Sequence, residues 1–417
     1  MNETNPLSVG KAQALVASRI HRLAVETVSL EAATGRVLAE DVAANRDLPP
    51  YDVSAMDGFA VRSADLAGEA TALSIIEDIK AGGMPRRRVE AGQCARIMTG
   101  APVPAGADAV IRVEDSEMLV DGKVAFSVRV KAGNDIRRQG EAMRCGSIVL
   151  KAGSEITPGV VGVLATVKKA TVAVYRRPRV AILSSGDELE ALDAPFNANK
   201  IPESNSYAVM AQLQAIGVEP VRLGIAADNE AELAAYLERG LDFDVLLVSG
   251  GSSVGVHDLV RPVLEQLGVE IHFWRVEMRP GHPLVFGSRK HCLVFGLPGN
   301  PVSSMVCVEQ FVLPALRQMM GNARPYRTTV VGRLAHPVKH RPGRAEFIRV
   351  ALGKDACGEI TVSATGSQSS GDLTSMAAAD GLLVVPAGSE GLAAGGTVQV
   401  QLLDGGEFQA KSGFEVE

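Results

Sequence analysis

Between residues 178 and 326 short apolar runs alternate with stretches of helical spacing, and this alternation constrains the chain more than any other feature. "RVAILSSG", "EPVRLGIAAD", "FDVLLVSGGSSVG" and "HCLVFGLPGNP" read as strands; "SNSYAVMAQLQAIG", "NEAELAAYLERG", "HDLVRPVLEQLG" and "MVCVEQFVLPAL" read as helices. The strands are almost continuously apolar and the connections short. A strand that is apolar on both faces needs cover on both, so the pattern predicts a parallel sheet between two helical layers, a three-layer α/β domain. Ser204 or Asn205 is expected to cap the first of these helices and Gly217 to end it.

The flanks have a different texture. A chain of 417 residues exceeds what one hydrophobic core usually serves, which implies two to four domains. Residues 7–25 have helical spacing, with Ala14, Leu15, Ala17, Ile20 and Leu23 able to share a face and Ser8 as the cap. From about 46 to 142 the chain is rich in glycine, proline and short β-type runs, which predicts a small β domain. "GVVGVLATV" at 159–167 reads as a short helix after Thr157-Pro158. From 327 to 417 short runs such as "RTTVVGRLAH", "AEFIRVAL", "GLLVVPAG" and "GTVQVQLL" predict a small β-barrel or sandwich. The expected division is 1–45 with 143–177 as an extended helical and linker part, 46–142, 178–326 and 327–417.

Composition excludes several functions. A formal charge of −6 without a dense basic tract argues against nucleic-acid binding, since "RRR" at 86–88 is short and sits among Gly and Pro. The five cysteines are scattered, with no C-x-x-C pair, so neither a zinc site nor a disulfide framework is expected. No basic-then-apolar leader opens the chain and no segment reaches the ~20 apolar residues of a membrane span. A reducing, cytoplasmic setting is the expectation.

In a parallel α/β domain ligands collect beyond the carboxyl ends of the strands. Three strands here end in loops with little side-chain bulk: "LSSGDELE", "VSGGSSVGVHD" and "GLPGNPVSS". In the last, two prolines fix the backbone around a bare Gly-Asn pair. Such loops ahead of helices suit phosphate-like anions, because unpaired N–H groups face the ligand. None is a G-x-G-x-x-G or Walker loop, which weakens dinucleotide and NTPase readings. Acids gather at the same rims: Asp187 and Glu188, Asp228, and Asp258. They make sense if Mg²⁺ bridges them to phosphate oxygens, although a single acid in such a place is more often a helix cap or a solvated charge. "FWRVEMRPGHP" supplies Arg275, Arg279 and His282, where an Arg-Pro-Gly turn aims a guanidinium at an oxyanion or makes a surface ion pair. No Ser-His-Asp or Cys-His arrangement is defensible from the spacings.

Taken together, "SSGDEL", "SGGSSVGVHD", "RPGHPLVFG" and "GLPGNPVSS" follow one another as in molybdopterin molybdenumtransferases, the MoeA family that includes the C-terminal domain of gephyrin. The chain resembles that family elsewhere too, in "PPYDVSAMDGFA" at 49–60, "IMTGAPVPAGADAV" at 97–110, "NDIRRQGE" at 134–141, "GRAEFIRV" and "SSGDLTSMAAADGLLVVP". The resemblance spans essentially the whole chain. It implies a central α/β domain of the molybdopterin-binding type, an N-terminal small β domain with an extended helical part, and a C-terminal β-barrel. It also implies an activity: hydrolysis of adenylylated molybdopterin with a divalent cation, usually Mg²⁺, insertion of molybdate, and release of AMP. A homodimer is implied, with a cleft between the α/β domain of one subunit and the β domain of the other. Recipient molybdoenzymes or their chaperones are further implied partners.

Carried over position by position, the resemblance makes Asp57 of "MDG", Thr99 of "MTGAP", Glu188, Asp228 and Asp258 the catalytic candidates, the last three also as metal ligands. Ser184, Gly186, Asn205, Ser249, Gly250, Gly251, Arg275, Pro298, Gly299, Asn300 and Pro301 become candidates for holding the adenylylated pterin. Arg279, His282, Arg349 and Ser370 become candidates for molybdate. Two positions depart from the family pattern. The basic turn commonly reads P-G-K-P, and His282 stands at the lysine, which would make the pocket's charge depend on pH near neutrality. Ala142 stands where an Asp often follows "GE", so either Asp135 or Glu141 compensates or that acid is dispensable. Two rival functions are an adenylyltransferase that makes the adenylated pterin from ATP and a cofactor-binding scaffold. The former resembles 178–326 alone, and no long linker supports the latter. Tungstate in place of molybdate is compatible with every motif.

Overall fold

Every residue of the strand Val180–Ser185 is buried, and its side chains divide between two cores. Val180 and Ile182 pack with Val209, Leu213, Val302 and Val306, while Ala181 and Leu183 pack with Leu233, Leu237, Val260 and Leu264. The sheet therefore lies between the helices Asn205–Gln214 and Pro301–Cys307 on one face and Glu230–Gly240 and Val260–Gln266 on the other. That is the three-layer arrangement the apolar runs require.

The computed structural model describes residues 6–66, 71–195, 197–250 and 259–403. They fall into two compact units: the described residues up to 39, 153–157 and those from 173 onward make the first, and those of 40–152 with 158–172 the second.

In the first unit the central six-stranded sheet runs Val221–Ala226, Val180–Ser185, Val245–Ser249, Cys292–Leu297, Val285–Arg289, Glu270–Phe273. The first four strands are parallel; Val285–Arg289 runs opposite to them and pairs antiparallel on both sides, with Cys292–Leu297 and with Glu270–Phe273, so the sheet is mixed where a parallel one was expected. The reason is a hairpin. Arg289 pairs with Cys292 across a two-residue turn, and Lys290 takes a φ of 53° there.

The helix after Pro301 continues through a wide turn at Val308–Val312 into Leu313–Met319. That wide turn buries Glu309, which accepts from Gln212 Nε2 at 2.8 Å and from Arg327 Nε at 2.9 Å. The N-terminal helix is Val9–Ser18, shorter than the periodic stretch 7–25. Ser8 caps it through Lys11 N–H, and the buried positions are Ala12 and Val16. Beyond it Leu23 N–H bonds to Met319 O, so the remaining apolar residues dock as extended chain.

The C-terminal strands Thr329–Leu334, Ala345–Lys354, Ile360–Ala364, Gly381–Val385 and Thr397–Leu402 close on themselves, because Ala345–Lys354 pairs with Gly381–Val385 as well as with Ile360–Ala364. Of the two expected forms it is the closed barrel, with Leu334, Val350, Val362, Leu383 and Val400 inside. The short strand Met278–Arg279 adds to its edge.

The second unit holds another six-stranded sheet, ordered Ala109–Arg112, Gly58–Val61, Gln93–Ile97, Thr71–Ile79, Lys123–Phe126, Ser116–Met118. Gly58 is required there: a Cβ would stand 1.8 Å from Ile111 O. The helix Pro158–Thr166 forms as expected.

Candidate functional site

Parallel strands release their loops at one edge, and here the edge loops are tied together. Asn205, at the start of its helix, donates its side-chain amide to Ser249 Oγ and to Gly299 O, both at 2.8 Å. One amide thus joins the loop after Val245–Ser249 to the loop after Cys292–Leu297. Gly250 N–H bonds to Leu297 O at 3.4 Å. A Cβ on Gly250 would sit 2.1 Å from Ser185 O, at a φ of +93°. Three strand ends are therefore packed so closely that only bare backbone fits.

Neither Ser204 nor Asn205 caps its helix by side chain as expected. Glu203 does that work, accepting from Ser206 N–H at 2.7 Å, which frees the Asn205 amide for the loops. Ser184 is buried and its Oγ has no hydrogen-bond partner among the described residues, an orphaned hydroxyl at the same edge. Pro298 is buried, whereas Gly299 and Asn300 are exposed, and Pro301 opens the helix.

Two carboxylates flank Gly186. Asp228 accepts from Ser185 Oγ at 3.3 Å and from Asp187 N–H at 3.5 Å, and its own N–H bonds to Asp187 Oδ1 at 3.0 Å. Glu188 folds back over Gly186, where a Cβ would meet Glu188 Oε2 at 2.4 Å. Gly251 and Asp258 lie outside the described residues. No group of three His, Cys, Asp or Glu side chains arranged to hold a metal occurs among the described residues. The donor set nevertheless suits a hard cation, because Glu188 and Asp228 offer exposed carboxylate oxygens around a glycine cradle.

The basic turn packs against the same helix. Gly281, at φ +101°, would place a Cβ 2.6 Å from Cys307 Sγ. The neck is closed by Val276 N–H to His282 O at 2.9 Å. His282 Nδ1 lies 2.7 Å from Val276 O; a carbonyl only accepts, so Nδ1 carries the hydrogen and Nε2 is left as an acceptor. Burial pushes its pKa below the ordinary histidine value, reinforced by Arg344 and Arg275 nearby. The lowered pKa favours the neutral imidazole, which works against the expected change of charge near neutrality, and arginines flank the turn. Arg275 stacks on Trp274 at 3.8 Å, and its Nε is buried with no hydrogen-bond partner among the described residues. Arg279 is exposed, with its Nε 3.6 Å from Glu346 Oε1, while Glu346 Oε2 lies 2.9 Å from His340 Nδ1.

Arg349 is 1% exposed. Its guanidinium donates to Ser375 Oγ at 3.2 Å, Ser367 O at 3.1 Å and Ser369 O at 3.0 Å, and burial lowers its pKa. It holds the 367–369 loop, and the adjacent Ser370 O accepts from Val302 N–H at 3.1 Å. The barrel loop is thereby fastened to the "LPGNP" corner. Sequence reasoning passed over Arg344, Glu346 and His340, although "GRAEFIRV" contained the first two.

In the second unit, Thr99 N–H and Oγ1 both donate to Asp57 Oδ1, at 2.7 and 2.8 Å. These bonds hold the Asp57 carboxyl below its usual range. Val113 N–H donates to the Asp57 carbonyl at 3.0 Å, fixing its backbone. Asp135 pairs with Arg112 at 3.2 Å and Glu141 accepts from Arg138 N–H at 3.0 Å.

Three family models match in order: "MoeA N-terminal region (domain I and II)" over residues 7–167, "Probable molybdopterin binding domain" over 181–318, and "MoeA C-terminal region (domain IV)" over 331–403. A molybdopterin molybdenumtransferase of Nostoc sp. is 37% identical over 90% of this chain and 88% of its own length. The chain belongs to the molybdopterin molybdenumtransferase family. The Bacillus subtilis protein of that name is 34% identical over 97% of this chain and 95% of its own. A crystal structure of a molybdopterin biosynthesis moeA protein from Pyrococcus horikoshii OT3 matches with a TM-score of 0.83 and 29% identity, covering 96% of this chain and all of that one.

Proposed function

We propose that the chain, a transferase of molybdenum cofactor biosynthesis by family, hydrolyses adenylylated molybdopterin with Mg²⁺, transfers molybdenum from molybdate to the pterin dithiolene and releases AMP. The observation that carries this reading is the Asn205 tie between the Ser249 and Gly299 loops, which makes one bare-backbone rim beside Asp228 and Glu188. The substrate is a polyanion, and such a rim offers it N–H groups at no steric cost.

Gly250, Gly299 and Asn300 let the pyrophosphate approach, Ser184 Oγ gives a free hydroxyl, and Asn205 holds both loops in register. Glu188 and Asp228, with Asp258, would be the oxygen donors for Mg²⁺, which would supply charge neutralisation at the phosphates when bound. Asp228 accepts a proton-bearing partner at either oxygen and so orients a water toward the adenylate phosphorus. Arg279 and Arg275, with Arg344, hold molybdate through charge-assisted bonds, while His282, tied through Nδ1 to Val276 O, shapes the turn that carries them. Arg349 and Ser370 act through the loop they fix. The same reading makes the protein a cytoplasmic homodimer with Asp57 and Thr99 in the working cleft, and divides the chain at 46, 143, 178 and 327.

The test is an AMP-release assay on purified protein with adenylylated molybdopterin, run with and without molybdate and Mg²⁺. Molybdate-stimulated, Mg²⁺-dependent AMP release is expected; AMP-pterin formation from ATP would instead establish the adenylyltransferase reading.

A further inference from the structure

The residues that immediately precede three parallel strands of the central sheet, Arg179, Asp244 and His291, lie at its amino edge, opposite the rim described above. They line an open recess of about 600 Å³ together with Glu26, Arg176 and Arg177. Most of its charges are already matched. Arg176 makes a two-pronged bond to Asp244, both contacts at 2.7 Å, and Glu26 accepts from Arg36. Arg177 and Arg179 are left without a carboxylate partner among the described residues.

We propose that Arg177 and Arg179, with His291, form a second anion site that binds a phosphate group, either free or as a small phosphate ester. Asp244 is buried, and besides Arg176 it accepts from Arg179 N–H at 2.7 Å, so the segment that carries both arginines is anchored. Pro178 is buried between exposed Arg177 and Arg179, and both arginines line the recess. Arg179 lies over the Phe243 ring at 4.8 Å, a stacking that holds the planar group flat. Arg177 reaches past Gly217: a Cβ there would come within 3.0 Å of its Nη2. Two guanidinium forks match the charge and the several oxygens of a phosphate dianion, whereas a lone carboxylate would engage one fork. The volume falls in the range of small-molecule sites. In a chain of net charge −6 this concentration of unmatched cations is local.

The site is tested by calorimetric titration of the full chain at low salt with inorganic phosphate and, separately, glucose 6-phosphate. Wild type is expected to bind at least one of them with Kd below about 1 mM, and R177Q/R179Q to bind at least tenfold more weakly with an unchanged unfolding temperature. Tighter binding of the ester identifies a phosphorylated metabolite as the source; equal binding identifies free phosphate. Asn205→Ala, which alters the other edge, should leave this heat intact, and R177Q/R179Q should leave AMP release intact, so the two sites fail separately. No heat in wild type, an isotherm unchanged in R177Q/R179Q, or equal suppression by sodium chloride at matched ionic strength overturns the proposal.

Discussion

The side-chain amide of Asn205 reaches Gly299 O at 2.8 Å while also holding Ser249 Oγ at 2.8 Å. Two loops that follow different strands thus share one donor group. Asn205→Asp removes both N–H bonds and sets a negative oxygen against a carbonyl, where Asn205→Ala only deletes the tie. Each variant is expected to lose about 1–3 kcal/mol of stability. AMP release should fall by tenfold or more in kcat, with Asn205→Asp the worse of the two. Denaturant unfolding and steady-state kinetics measure both effects.

Gly250→Ala tests how close the strand ends must stay. The added methyl would stand 2.1 Å from Ser185 O, at a φ of +93° that side-chain-bearing residues rarely adopt. A cost of about 1–3 kcal/mol follows for the backbone strain alone. Relaxation would move the loop away from Ser185 and the Gly186 cradle. A larger loss in kcat/KM than the stability change explains is the expected result, read against Gly268→Ala, a positive-φ turn with open space around it.

How much of this was readable beforehand differs by element. Apolar runs on both faces of the central strands have one physical explanation, burial between layers, and the three-layer reading followed directly. The antiparallel hairpin was hidden because its turn is Lys290-His291 rather than an Asn-Gly or Asp-Gly pair. The loops of the rim were legible as bare backbone, but their fastening by Asn205 was not: Glu203 does the capping that Ser204 or Asn205 was expected to do, and only a fold decides which of three neighbouring polar residues does so. Arg349 looked like a ligand contact because "EFIRV" carried it; its burial and its three bonds into 367–375 depend on a loop distant in sequence.

Glu309 is a structural counterpart to these site residues. It is 1% exposed and is held by Gln212 and Arg327. Truncation removes the buried carboxylate to which both Gln212 and Arg327 donate, so Glu309→Ala should cost about 3–5 kcal/mol. Glu309→Gln, which keeps the shape and some bonds, should cost less. Thermal unfolding ranks the two.

Acidification reports on His282. Its folded pKa is lowered by burial, so the unfolded imidazole takes up a proton near pH 6.5 and the folded one only at lower pH. Between those values the unfolded state binds more protons, and stability contributed by this residue declines as pH falls from about 6.5, levelling off below the folded pKa. His282→Gln should remove that component and, because a lowered pKa favours the neutral imidazole that glutamine mimics, keep molybdate-dependent AMP release within about threefold of wild type at pH 7. His282→Lys puts a cation beside Arg275 and Arg344 and should lower stability while tightening molybdate binding. A resonance of His282 titrating above pH 7, or a Gln variant inactive at pH 7 yet stably folded, would show that the ring acts as a cation in the turn.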